Sequence, residues 1–85
     1  MIKAHQEDDF MARELAIAAM HRMLKNKKVG AERVSESAAE ELAKVLEDIG
    51  SKIGRQATKY AMHAGRKTVK RKDIVEAYKL LQERL

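Results

Sequence analysis

The stretch from Ser35 to Ala64 runs for thirty residues without a proline. Its apolar residues Ala38, Leu42, Leu46, Ile49, Ile53, Ala57, Tyr60 or Ala61, and Ala64 follow one another in steps of three and four. At 3.6 residues per turn such steps keep each side chain on one face of a helix, a spacing that a strand, with its period of two, cannot use. A helix of this length would span about 40 to 45 Å at 1.5 Å per residue. A compact globule of 85 residues is only about 30 Å across. The seam is longer than the body one chain can build, and the flanking segments are too short to cover it. A second copy of the chain is the expected cover. Gly50 and Gly54 interrupt the middle of this helix, each at about 1 kcal/mol against alanine. A missing Cβ there suits a close crossing of two helices; a mild kink is the other reading.

The rest of the composition narrows the class. With no cysteine, disulfides, cysteine zinc sites and thiol catalysis are excluded. The three histidines, at 5, 21 and 63, are too far apart to make a ligand pair on one helical face, so no metal and no cofactor is expected. The apolar residues are mostly Ala, Leu, Ile, Val and Met, with one Phe, two Tyr and no Trp, which reads as an all-α chain. No apolar run approaches eighteen residues and none follows the start as a leader would. The expectation is a soluble, cytoplasmic protein with no membrane partner. A net charge of +5 favours a polyanionic partner, and the distribution says more than the total. Ten of the eighteen Lys and Arg fall in two short segments. These are Arg22, Lys25, Lys27, Lys28 and Arg33, and then Arg66, Lys67, Lys70, Arg71 and Lys72, one on each side of the long helix.

Taken in order, residues 1–14 form a polar, slightly acidic extension, and residues 15–85 the folded domain. Asp8 or Asp9 is placed to cap a first helix, with Glu7 near its positive end; residues 1–14 are also able to prolong that helix. From Phe10, the residues Leu15, Ile17, Met20, Met23 and Leu24 supply an amphipathic pattern that ends among Lys25 to Lys28. Val29 to Val34 reads as a loop with Gly30 at the helix stop, and Ser35 as the cap of the long helix. The first half of that helix is acidic (Glu36, Glu40, Glu41, Glu47, Asp48, against Lys44) and the second basic (Lys52, Arg55, Lys59). A second loop follows at Ala64 to Lys70. A last helix, about Arg71 to Arg84, presents Ile74, Ala77, Tyr78 and Leu81, widened by Val75, Leu80 and Leu85. Its first turn carries Arg71 and Lys72 where the helix dipole disfavours cations. An anion docked there, such as a phosphate, would remove that conflict.

Helix, basic loop, very long helix, basic loop, helix resembles the histone fold, and two stretches resemble the archaeal histones in particular. Gly30-Ala31-Glu32-Arg33-Val34-Ser35 looks like the family's first-loop motif. His63-Ala64-Gly65-Arg66-Lys67-Thr68-Val69-Lys70, followed by Asp73-Ile74, looks like its second. The resemblance covers about residues 15 to 80. It requires two additional residues between Lys25 and Gly30 and leaves the extension outside it.

The resemblance implies a head-to-tail handshake dimer whose long helices cross, with Leu42, Leu46, Ile49, Gly50, Ile53, Gly54 and Ala57 as its core. The first loop of one chain then lies beside the second loop of the other, which merges the two basic segments into shared patches. By similarity, Arg33 and Thr68 form a paired element beside the backbone of double-stranded DNA, Arg66 bridges to Asp73 to fix the second loop, and Lys67 and Lys70 contact phosphate. Arg22 matches an arginine that enters the minor groove, provided the two extra residues bulge in the loop. Lys25, Lys27, Lys28 and Arg71 complete the DNA-binding set. Tyr60, His63 and Asp73 match positions that join dimer to dimer. Homodimers, tetramers, longer polymers and pairing with a second histone all remain open on this reading.

The implied function is sequence-tolerant wrapping and compaction of DNA in the nucleoid. The rival is a histone-fold heterodimerisation module of a transcription or chromatin complex whose loops need not touch DNA. Catalysis is not expected. Gly65-Arg66-Lys67-Thr68 superficially looks like a phosphate-binding loop, but Tyr60 stands where its first glycine is required and Arg66 where its lysine is.

Overall fold

The computed structural model describes residues 2–84, with side chains from residue 10 onward. Three helices follow one another: α1, Ile2–Lys25; α2, Glu36–His63; and α3, Arg71–Arg84. None of them is long and apolar enough to cross a membrane. The order and the dominant central helix are those expected. The start of α1 is not. Because α1 begins at Ile2 and has no acid in its first turn, Asp8 and Asp9 are interior helical positions and not caps. Leu85, expected to widen the α3 face, lies outside the described residues.

The 28 residues of α2 make a rod of about 42 Å. Its start is fixed as the sequence suggests: the Ala38 N–H donates to Ser35 Oγ at 3.1 Å, which satisfies one of the free N–H groups of the first turn. Its end is a glycine stop. Gly65, at φ +73°, donates its N–H to the Met62 carbonyl, and the Arg66 N–H reaches back to the Ala61 carbonyl, both at 2.9 Å. This pair of bonds closes a helix whenever the residue after the cap can adopt positive φ, which costs glycine nothing.

The chain divides into two compact units, Met1–Val45 and Leu46–Leu85. In the first, Ile17 and Ala39 are buried, and Met20, His21, Leu24, Leu42 and Ala43 are half-buried. The inner face of α1 is thus Ile17, Met20, His21 and Leu24, at steps of three and four. Leu15 and Met23, expected on the same face, are instead exposed. So is Ala38, whose seam position belongs to its neighbour Ala39.

In the second unit Ala57 and Ala61 of α2 and Ala77 of α3 are all but inaccessible. Small residues there let two helices lie close together. Ile53, Leu80 and Leu81 around them are half-buried. Leu46, Ile74, Val75 and Tyr78 are open by 40 to 50 %. Among the described residues no large side chain is fully buried in either unit. Each unit seals its alanines and leaves its larger apolar groups part-covered, which is how a core looks when something else completes it.

Candidate functional site

The second loop, residues 64–70, is built around one buried acid. Asp73 is only 4 % exposed. Its Oδ2 accepts from Arg66 Nη1 at 2.9 Å, and its Oδ1 from Arg66 Nη2 at the same distance. The backbone N–H of Lys70 donates to Oδ2 at 2.8 Å. Arg66 Nη1 donates in addition to the Thr68 carbonyl at 2.9 Å. A planar guanidinium with parallel donors suits a carboxylate held in this way, and the third bond uses the same fork to hold the loop's own backbone. The bond from Arg66 and then that from the Lys70 N–H hold the Asp73 carboxyl down at about 2, against the usual 3.8, although burial opposes them.

This arrangement corrects one expectation. The first turn of α3 does not lack internal compensation for Arg71 and Lys72, because it contains Asp73. That carboxylate satisfies the N–H of Lys70, the residue whose carbonyl accepts the first bonds of α3 from Asp73 and Ile74. An acid in the third helical position, reaching back to the cap residue's N–H, does the work assigned to a docked anion. A bound phosphate is not required to explain the sequence there.

The first loop is a tight, hydrogen-bonded turn. α1 stops at Lys25, and the N–H groups of Val29 and Gly30 both reach the Asn26 carbonyl, at 3.0 and 2.7 Å. The Lys28 N–H donates to Asn26 Oδ1 at 2.9 Å, an asparagine turn of the ordinary kind. Gly30 takes φ +83°, and the Ala31 N–H closes onto the Leu24 carbonyl at 3.0 Å. The additional residues between Lys25 and Gly30 therefore lie in the loop and do not lengthen α1.

Each anticipated residue has a definite place. Arg22 and Lys25 are exposed in the last turn of α1, and Lys27, Lys28 and Arg33 are exposed in the first loop. Lys67, Thr68 and Lys70 are exposed in the second loop and Arg71 at the start of α3. Five cations stand between residues 66 and 72. Asp73 engages Arg66 alone in an ion pair, which leaves Lys67, Lys70, Arg71 and Lys72 on the surface. Along α2, Leu42, Ile49, Ile53 and Gly54 are half-buried, Leu46 and Gly50 exposed, and Ala57 buried. Tyr60 is half-buried and His63 exposed in the last turns of α2, whereas Asp73 is enclosed. Among the described residues no group of three or more potential metal-ligating side chains occurs.

Sequence reading missed two things. The Thr68 carbonyl and the Lys70 N–H are backbone anchors, which no residue type announces. Lys52, Arg55 and Lys59, together with Arg84, rim a groove between α2 and α3. Their spacing of three and four along α2 is the signal that could have found them.

Comparison with known proteins follows the same lines. The family model described as histone-like transcription factor (CBF/NF-Y) and archaeal histone matches residues 13–78. The archaeal histone HAN1 of Thermococcus zilligii is 52% identical over 66 residues, which cover 78% of this chain and 96% of that relative. A probable archaeal histone 3 of Methanocaldococcus jannaschii is 47% identical over 64 residues, covering 75% of this chain and 92% of that one.

Proposed function

The chain belongs to the family of histone-like transcription factors (CBF/NF-Y) and archaeal histones, and from that premise we propose that it is a chromatin protein that binds double-stranded DNA as a dimer and wraps it without reading sequence. The family is one of histone-fold proteins, not of enzymes. The observation that carries the reading is the second loop: Arg66 and Asp73 hold its backbone, so Lys67, Lys70 and Arg71 are presented on a fixed frame. Cations placed in advance neutralise phosphates without first having to be ordered, and the released counterions drive association.

The dimer is formed by crossing α2 helices, with Leu46 and Gly50, both exposed in the single chain, near the crossing. Antiparallel pairing brings the first loop of one chain, with Arg33, to the second loop of its partner, with Thr68. Arg22, at the end of α1, faces the minor groove as the groove turns inward, about every 10 bp. Lys25, Lys27 and Lys28 extend the phosphate contacts. Dimers join further through Tyr60, His63 and Asp73. DNA deformability, and not base identity, sets site preference.

A salt series of DNA binding tests this, with nuclease digestion of the complex and the variants Arg33→Ala and Lys70→Ala. Affinity falls steeply with salt, each variant lowers the slope by about 0.9 per phosphate contact removed, and digestion leaves fragments of regular size. Absence of binding at low salt by a dimer that is folded would reject wrapping and support the heterodimerisation module, the other role the family's description admits.

A further inference from the structure

The α2–α3 groove and the start of α1 are the two features that the reading above does not use. The groove has a volume of about 240 Å³. Its floor is apolar, from Ile53, Leu80 and Leu81, and its rim is cationic, from Lys52, Arg55, Lys59 and Arg84. Lys52 pairs with Asp48 on its own helix at 3.3 Å. Among the described residues no carboxylate lies within salt-bridge distance of Arg55, Lys59 or Arg84. A row of phosphates is a poor match for such a site, because DNA would leave the apolar floor uncovered. The matching occupant is a short helix with an acidic side and an apolar side.

The chain carries such a helix. The family match begins at residue 13, yet α1 already runs from Ile2. The 66 residues shared with the Thermococcus relative cover 96% of it, so that protein has almost nothing to align with the additional turns. Those turns contain three consecutive acids, Glu7, Asp8 and Asp9. Immediately after them Phe10 and Met11 are 62 % and 60 % exposed, and Leu15 one turn later 66 %. An exposed aromatic, a methionine and a leucine within six residues are unusual on a free surface. The spans Lys52–Lys59 and Glu7–Glu14 are each two helical turns, about 10 Å.

We propose that the first turns of α1 dock, through Glu7–Asp9 and Phe10–Met11, into the α2–α3 groove of a second copy of this chain. Apolar side chains fill the floor while the acids meet the rim, so the contact is both steered and selected by charge. The inference rests on the self-association proposed above and adds to it a strap that the relatives, lacking these turns, do not carry.

The chain has no cysteine, so introduced ones report without background. Copies carrying Met11→Cys and copies carrying Gln56→Cys, with different tags, are mixed and cross-linked. Gln56 lines the groove. The mixture gives a heterotypic product spanning both tags. Its yield falls at least about tenfold when Glu7, Asp8 and Asp9 are changed to lysine, and recovers when Arg55→Glu and Lys59→Glu are placed on the other copy, as charge complementarity requires. A product between two Gln56→Cys copies, with none from the mixture, overturns the proposal by showing groove facing groove. Indifference to charge reversal overturns it as well. Sedimentation separates the two levels: a dimer with no heterotypic product loses only the strap, while a monomer at all concentrations removes the dimer of the proposed function and the strap together.

Discussion

Gly50 and Gly54 allow the dimer to be tested by the sign of one perturbation. An ideal Cβ built at either glycine meets no atom within 4 Å, and neither has positive φ. For the isolated chain, Gly→Ala at each site is therefore free of strain. It adds about 1 kcal/mol of helix stability, or about 4 to 8 °C in Tm for a domain of this size. If a second α2 crosses there, the same methyls have no room. Overpacking of a closed interface costs about 1 to 3 kcal/mol, and two-fold symmetry imposes each methyl twice. The expected outcome for Gly50→Ala/Gly54→Ala is a dimer dissociation constant raised about 5- to 150-fold, although each helix is intrinsically stronger. Sedimentation over a concentration series reads the constant, and circular dichroism on the same samples reads Tm, which is concentration-dependent in any obligate dimer. An unchanged dissociation constant with Tm raised by the full increment would refute the close crossing.

Three further outcomes follow from single groups. Asp73, held at about 2 against 3.8, contributes stability that is complete above about pH 4 and is lost as pH falls toward 2; acid unfolding of Asp73→Asn should be flatter over that window, and equal slopes would count against the Arg66 fork as its cause. Gly65→Ala places a Cβ at φ +73°, where L-residues pay about 1 to 2 kcal/mol. Denaturant unfolding should show that loss, with Gly65→Asn milder because asparagine tolerates the conformation. Ser35→Ala removes the acceptor of the Ala38 N–H and should cost about 1 kcal/mol, read by the same titration.

Much of the fold was legible because its signals are local. The step of three and four along α2, Ser35 ahead of it, and Gly30 and Gly65 behind two helices each act within one or two turns of chain. The start of α1 was misjudged for the same reason: Asp8 and Asp9 are good caps in isolation, but a helix that already has a nucleus propagates through such residues cheaply. The α3 terminus was misjudged in the opposite direction. Arg71 and Lys72 look uncompensated in the sequence because Asp73 reads as one more charge, and only its burial and its bond to the Lys70 N–H show that it completes the turn.

Sequence alone determined the helices, their caps and the clustering of cations, since periodicity and capping need only neighbours along the chain. The tertiary structure decided which member of each apolar pair is covered: Ala39 and not Ala38, Ile17 and not Leu15. It also decided that Arg66 serves the Thr68 carbonyl as well as Asp73, and that Lys52, Arg55, Lys59 and Arg84 rim one groove. The physical reason is that burial and guanidinium geometry depend on which elements meet in space. A helical repeat specifies a face but not what lies against it.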